Sequence, residues 1–463
     1  MQERLQSDVP GLDYVLGGGL PMNTINLIVG LPGTGKTLLA QQYVFSNATP
    51  ERQAVYLSTV SEPFEKIVRY GQQLDFFDID AVGRNVFYED LGGVLLSHGL
   101  SAVLDRVHEI LAQREPTLLV IDSFRPFAVF AESRSEYRRF LHELTAQLTI
   151  RPVTCLWLGE YALADITGAP EFAVADAVIL LTSGRIEQRE LRLLQVLKLR
   201  GSESLPGRHA YRLSSAGMRV FPRLADPAAQ GPYELADRWV SSGVKGLDAL
   251  LGQGYRAGSS TLVVGPSGIG KTLLGLHFAF EGARAGTGAT FATFDENPSQ
   301  LAATAAAFGW SFGAPGVRLL YRSAVDLHLD EWVYELLELV DGGDIGRVCI
   351  DGLYSLRAAA QEQTRFQEYL YSLFQRFARA GVTLMMSVES PDLFGSARVS
   401  DQPLSHMADN VVLLNFIRRD AEYRRAITVL KSRAAAADPR ATEYTIGSKG
   451  IALRASRPRT AAP

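Results

Sequence analysis

A chain of 463 residues exceeds what one hydrophobic core usually serves, so length alone predicts two or three domains. With 47% hydrophobic and 21% charged residues it has the composition of a globular protein, which excludes a disordered or fibrous chain. A formal net charge of −4 excludes a global basic field for holding a phosphate backbone, so nucleic acid is not the expected partner.

The opening residues M-Q-E-R-L-Q-S-D-V-P lack a basic segment followed by an apolar one, and no uncharged apolar run reaches the roughly 18 residues that span a bilayer. A cytoplasmic protein with no membrane partner is expected. Cys155 and Cys349 each sit inside an apolar run and read as small core residues.

In chain order, V-P-G-L-D-Y-V-L-G-G-G-L at 9–20 leads into the strand pattern T-I-N-L-I-V at 24–29. That strand runs straight into G-L-P-G-T-G-K-T at 30–37, a complete Walker A loop. Gly30, Gly33, Thr34 and Gly35 let backbone N–H groups converge on a β-phosphate. Lys36 reaches the β/γ oxygens of ATP, and the Thr37 hydroxyl is placed to ligate Mg²⁺. Further strands are predicted at 54–59, 117–122, 153–158 and 177–181, uniformly apolar and therefore covered by helices on both faces. The strand at 117–122 ends in Asp122, a Walker B carboxylate for the water shell of the magnesium. L-K-L-R follows at 197–200, where Lys198 and Arg200, two positions apart, project to one face.

The stretch 221–237 is rich in Pro and Ala without a sustained apolar period and reads as a linker. Beyond it the pattern returns. G-V-K-G-L-D-A-L-L-G-Q-G at 243–254 echoes the opening motif, and G-P-S-G-I-G-K-T at 265–272 is a second Walker A loop. In it Gly265, Gly268, Ile269, Gly270, Lys271 and Thr272 repeat the roles of the first loop. Strands are predicted at 260–264, 289–294, 347–351, 382–387 and 411–414, with Asp351 as the second Walker B acid and Lys431 and Arg433 as the second cation pair. Lys36 and Lys271 lie 235 residues apart, Asp122 and Asp351 229, and Lys198 and Lys431 233, so the chain is a duplicated α/β domain. The expected bounds are 1–222 for the first domain, 223–238 for the linker, 239–455 for the second domain and 456–463 for a flexible tail.

With these motifs in place the chain resembles the KaiC family of RecA-type ATPases over both halves, in P-G-L-D-Y-V-L-G-G-G-L, V-K-G-L-D-A-L-L and the paired K-x-R elements. The resemblance implies two tandem RecA-like P-loop domains, each a mainly parallel sheet covered by helices. It implies two adjacent acids at the end of the strand after the P-loop helix, one of which polarises the attacking nucleophile. The second copy carries both, as Asp295 and Glu296; in the first, Ser61 stands in place of one and Glu62 remains. Glu160 and Glu389, after the fourth strand of each copy, are further candidates at these sites. The resemblance also implies that Lys198, Arg200, Lys431 and Arg433 reach the nucleotide of an adjacent subunit, in a head-to-tail ring taken as a homohexamer. Where the family's autophosphorylating members carry a Ser-Thr pair, this chain has Ser405 and His406 and ends soon after, so a dedicated oscillator role is not expected.

Three functions follow as expectations. The first is a Mg-dependent ring ATPase that regulates an unknown partner protein, with serine/threonine autokinase activity in the second domain as a further possibility. The second is a recombinase-like DNA motor, which calls for basic channel loops that the sequence does not display. The third is a scaffold that uses ATP only for assembly.

Overall fold

The computed structural model describes residues 3–60, 64–166, 168–186, 189–224, 236–312, 316–360, 363–390, 405–419 and 422–454. The chain divides into two compact units, 1–223 and 224–463. Most of the sequence-predicted linker (225–235) and the tail (456–463) lie outside the described residues. Residues 236–238 pack with the second unit, since the Ala236 carbonyl accepts from Arg256 Nε at 3.0 Å and the Arg238 carbonyl from Ala257 N at 2.8 Å.

The strands of the first unit are β1 (Ile25–Gly30), β2 (Ala54–Ser58), β3 (Val86–Asp90), β4 (Leu118–Asp122), β5 (Thr154–Gly159), β6 (Ala177–Ile186), β7 (Arg189–Leu199), β8 (His209–Ser214) and β9 (Gly217–Phe221). They form one nine-stranded sheet in the order β3-β2-β4-β5-β1-β6-β7-β8-β9. The first six in that order pair in parallel, and β6 to β9 continue as antiparallel neighbours. Along β1 the side chains alternate between two cores. Ile25, Leu27 and Val29 pack with the helices α2 (Gly92–Arg114, broken at Gly99) and α3 (Arg134–Thr149). Ile28 faces Leu39, Tyr43 and Val44 of α1 (Lys36–Asn47), the helix that leaves the Walker A loop. The all-apolar strand runs are thus buried on both faces, as their composition requires.

The second unit repeats this plan with β10 (Ser260–Gly265), β11 (Gly288–Thr293), β12 (Val317–Tyr321), β13 (Ile345–Asp351), β14 (Thr383–Glu389), β15 (Asn410–Arg419), β16 (Glu422–Ser432), β17 (Thr442–Gly447) and β18 (Gly450–Leu453). Its sheet order, β12-β11-β13-β14-β10-β15-β16-β17-β18, is the same topology strand for strand. The helices α4 (Lys271–Arg284), α5 (Leu329–Asp341) and α6 (Gln363–Ala380) cover it. Both predicted sets of five strands are present. The edge strands β3 and β12 and the antiparallel strands β7 to β9 and β16 to β18 are additional, and several carry charged residues facing solvent.

The aspartate of each opening motif ties its loop. Asp13 carboxylate oxygens accept from Ser7 N at 3.1 Å, and Asp248 accepts from Ser241 Oγ at 2.6 Å and Ser242 N at 2.7 Å. Cys155 and Cys349 are free and buried, and burial pushes both thiols up, away from reactivity.

Candidate nucleotide sites

In parallel α/β sheets the carboxyl ends of the strands are where ligands bind, and each Walker A loop begins at such an end. Lys36 Nζ donates to the carbonyls of Gly30 and Leu31 at 3.0 and 3.1 Å, and Lys271 Nζ to those of Gly265 and Pro266, both at 2.9 Å. Each amine is therefore folded over its own loop. Burial pulls both below the usual lysine range, an effect opposed by Glu160 and Asp122 in the first unit and by Glu389 and Asp351 in the second. The two glutamates singled out after the fourth strands thus act electrostatically on the P-loop lysines.

Asp122 and Asp351 end β4 and β13, each beside the threonine of its own unit's loop. Thr37 Oγ1 donates to Asp122 Oδ2 at 2.9 Å, and Thr272 Oγ1 donates to Asp351 Oδ2 at 2.7 Å. Each acid also receives a second hydroxyl that sequence reasoning missed. In the first unit it is Tyr56 on β2, which donates to Asp122 Oδ2 at 2.6 Å. In the second it is Ser387 on β14, which donates to Asp351 Oδ1. The available signal was the hydroxyl-bearing residues inside two otherwise apolar runs, A-V-Y-L-S-T and V-T-L-M-M-S. Burial raises the Asp351 carboxyl, while its bonds to Ser387 and Thr272 and the nearby Lys271 oppose the rise.

A cavity of about 1010 Å³ opens over the second loop, lined by Lys271, Thr272, Asp295, Glu296, Asp351 and Glu389 among others. That is the upper end of the usual range for small-molecule pockets, roughly 300–1,000 Å³. Asp295 is fixed by Ser355 Oγ at 2.7 Å. Glu296 is raised above its usual range by burial first and by Asp351 next, while a hydrogen bond with Thr272 acts the other way. Gly352, at φ 91°, lies against Asp295: a Cβ there would stand 2.6 Å from Asp295 Oδ2. Ser61 and Glu62, the corresponding positions of the first copy, lie outside the described residues.

The paired cations stay together but away from their own loops. Lys198 Nζ donates to the carbonyls of Phe172 and Ala173 at 3.2 and 3.1 Å, and Arg200 reaches the Ala173 carbonyl at 3.2 Å. Lys431 Nζ donates to the carbonyls of Ser405, His406 and Ala408, and Arg433 to that of His406. Neither Lys431 nor Arg433 lines the cavity of its own unit. Ser405 lies in the turn before β15.

Among the described residues no three metal-ligating side chains cluster, and no helix is long and apolar enough to cross a membrane. Magnesium needs no such cluster, because it keeps several waters and takes one or two hard oxygen ligands alongside substrate phosphates. The threonine hydroxyl and aspartate of each unit are a donor set of that kind.

Two sheets of one topology, each presenting a Walker A loop beside a threonine–aspartate pair, define a tandem P-loop nucleotide-binding protein of RecA-like fold. The KaiC ATPase family model matches residues 5–225 and 240–457, and the chain belongs to the KaiC family. It is 26% identical to the circadian clock oscillator protein KaiC of Picosynechococcus sp., over 98% of this chain and 90% of that protein. It is 25% identical to the circadian clock protein KaiC3 of Synechocystis sp., over 97% and 91%. With the circadian clock oscillator protein KaiC of Thermosynechococcus vestitus it shares 27% identity over 98% and 89%.

Proposed function

We propose that each Walker A loop binds ATP with Mg²⁺ and that the chain hydrolyses it as a cytoplasmic ring whose nucleotide state regulates a partner protein. The observation that carries this reading is the repeated placement of a loop lysine beside a threonine–aspartate pair at the strand ends of both units. In this reading Gly30, Gly33, Thr34 and Gly35, with Gly265, Gly268, Ile269 and Gly270, present backbone N–H groups to the phosphates. Lys36 and Lys271 exchange their carbonyl partners for phosphate oxygens, which are stronger acceptors for an ammonium. Thr37 with Asp122, and Thr272 with Asp351, hold the magnesium, which neutralises charge on the transferring phosphoryl group. Glu296, Asp295 and Glu62 are the carboxylates that orient and deprotonate water.

Four cations have the remaining part. Lys198, Arg200, Lys431 and Arg433 complete the site of an adjacent copy, and the exposure of the Arg200 and Arg433 side chains, 58% and 55%, supports that trans role. Assembly is then linked to nucleotide, because the ligand's charge sits at the contact. Light scattering at micromolar protein is expected to show a ring with ATP and smaller species without it; a monomer under both conditions would remove the trans role.

ATP labelled in the γ-phosphate tests the reaction. Released phosphate is expected at both units, and a lesser protein-bound fraction that disappears in Ser405→Ala would place an autokinase acceptor there. Retained but unconverted nucleotide would instead identify ATP as an assembly ligand alone. The DNA-motor reading finds no support in a chain of net charge −4.

A further inference from the structure

In both units the closing hairpin packs against the Walker A loop, and it does so through matched residues. Tyr211 on β8 is buried and its hydroxyl donates to the Thr34 carbonyl at 2.7 Å; Tyr444 on β17 is buried and donates to the Ile269 carbonyl at 2.7 Å. Two residues on, and so on the same strand face, Leu213 and Ile446 press on the next glycine. A Cβ on Gly35 would stand 2.9 Å from Leu213 Cδ1, and one on Gly270 would stand 3.0 Å from Ile446 Cδ1. Those glycines hold φ of 88° and 111°, where a side chain is strained in any case.

The consequence lies in the peptide plane. In a trans peptide the carbonyl of one residue and the N–H of the next point in opposite directions. A tyrosine that holds the Thr34 carbonyl therefore aims the Gly35 N–H the other way, and Tyr444 does the same for Gly270. Those N–H groups belong to the set that a P-loop turns toward phosphate.

The hairpin is fastened in turn to the Walker A helix, six residues after the lysine. Met218 N donates to Gln42 Oε1 at 2.7 Å in the first unit, and Ile451 N donates to His277 Nε2 at 3.0 Å in the second. Met218 and Ile451 begin the return of the hairpin at equivalent places, each just after a glycine whose Cβ would collide with the clasping side chain. The clasping side chains differ in that glutamine does not titrate and histidine does. The first hairpin's own buried histidine, His209 on β8, accepts from Arg223 N and donates to the Leu205 carbonyl and so does not hold the Walker A helix. His277 accepts on Nε2, so its proton sits on Nδ1, 3.1 Å from the Gly243 carbonyl that accepts it. A second proton would set an N–H on Nε2 against the Ile451 N–H.

We propose that the closing hairpin is a strap that positions the Walker A loop, with Tyr211 and Tyr444 as positioning residues, and that its clasp to the Walker A helix loosens on protonation in the second unit, at His277, and not in the first, at Gln42. The proposal rests on the reading of these loops as ATP sites. Several groups face the ring. Glu281 of α4 attracts the second proton, Arg284 of α4 and Arg347 of β13 face Glu281, Asp248 of the opening motif faces Arg347, and Trp310 packs edge-on against the imidazole. Burial outweighs Glu281 and holds the ring below its usual value of 6.5. The neutral clasp is therefore complete above about pH 6.5 and is lost as the pH falls below that, through the depressed value of the folded ring.

The test uses the full chain with one site silenced, Lys36→Ala to read the second site and Lys271→Ala to read the first. A fluorescent ATP analogue with magnesium is titrated from about pH 8 to about pH 5.5, a range that spans histidine ionisation. The nucleotide's own terminal phosphate titrates alike at both sites and cancels in the comparison. The second site is expected to weaken over this range by roughly three- to tenfold more than the first, the worth of one hydrogen bond. His277→Gln should bring its profile parallel to the first site, and Gln42→His should give the first site the slope. Tyr444→Phe should weaken the second site roughly three- to tenfold at pH 8, with thermal unfolding read alongside to separate folding from binding. Parallel profiles in the parent chain, or an unchanged slope in His277→Gln, overturn the strap. A chain that binds at neither site at pH 8 overturns the ATP reading itself and the strap with it.

Discussion

Replacing Lys271 by alanine is expected to empty the second nucleotide site, and Lys36→Ala the first, so that occupancy falls from about two per chain to about one in either variant. The side chain is the only cation the loop itself supplies, and it is already over the site, 2.9 Å from the Gly265 and Pro266 carbonyls in the second unit. Burial disfavours its charge, and the acids around it, Glu389 and Asp351, keep it protonated. A triphosphate would strengthen that hold. Removing the amine leaves those acids facing phosphate with nothing between them except the metal, so the loss exceeds that of a single charge-assisted contact, which is worth roughly 1.5–3 kcal/mol. Equilibrium dialysis with counted nucleotide reads the result. Unchanged occupancy in both variants would sink the assignment of the loops.

The elements that the sequence made legible are those with a local signature. The strands β1 and β10 are continuous apolar runs ending in a glycine-rich octet, and Asp122 and Asp351 each close such a run. Of β7 and β16 only the K-x-R ends were legible as strand, because exposed charged residues such as Glu190 and Glu422 break the apolar pattern of the rest. Tyr56 and Ser387 escaped for a different reason. A hydroxyl that reaches a carboxylate from another strand leaves no trace in spacing, and Tyr56 and Asp122 are 66 residues apart. The strap is harder still, since Tyr211 meets a carbonyl 177 residues away. Only the duplication encodes it, through the matched pairs Tyr211 and Tyr444, and Gln42 and His277. Lys198 and Arg200 were legible as a pair, yet within one chain they bind backbone carbonyls, and their proposed role depends on a neighbouring copy.

Glu296→Gln is expected to lower phosphate release at the second site by roughly a hundredfold to ten-thousandfold, the range that general-base catalysis supplies, while nucleotide binding changes little. Glu296 lines the cavity beside Thr272, and burial together with Asp351 raises its carboxyl, which makes the ionised form a stronger base toward water. The amide preserves shape and hydrogen bonding and removes that basicity. Because the base acts when deprotonated, second-site turnover should fall as the pH drops through the raised value of this group. Asp295, held by Ser355, is a second carboxylate next to it. The first copy has Ser61 in place of one acid, and a hydroxyl does not accept a proton from water as a carboxylate does. The second unit should therefore turn over faster, and Glu62→Gln should cost much less than Glu296→Gln. Single-site turnover, measured in the Lys36→Ala and Lys271→Ala backgrounds, decides the matter. If Glu62→Gln removes most of the phosphate release and Glu296→Gln removes little, one carboxylate suffices to orient water in the first unit. Asp295 and Glu296 then serve a phosphoryl transfer onto protein, and labelled phosphate should appear on the chain in the parent and disappear in Glu296→Gln.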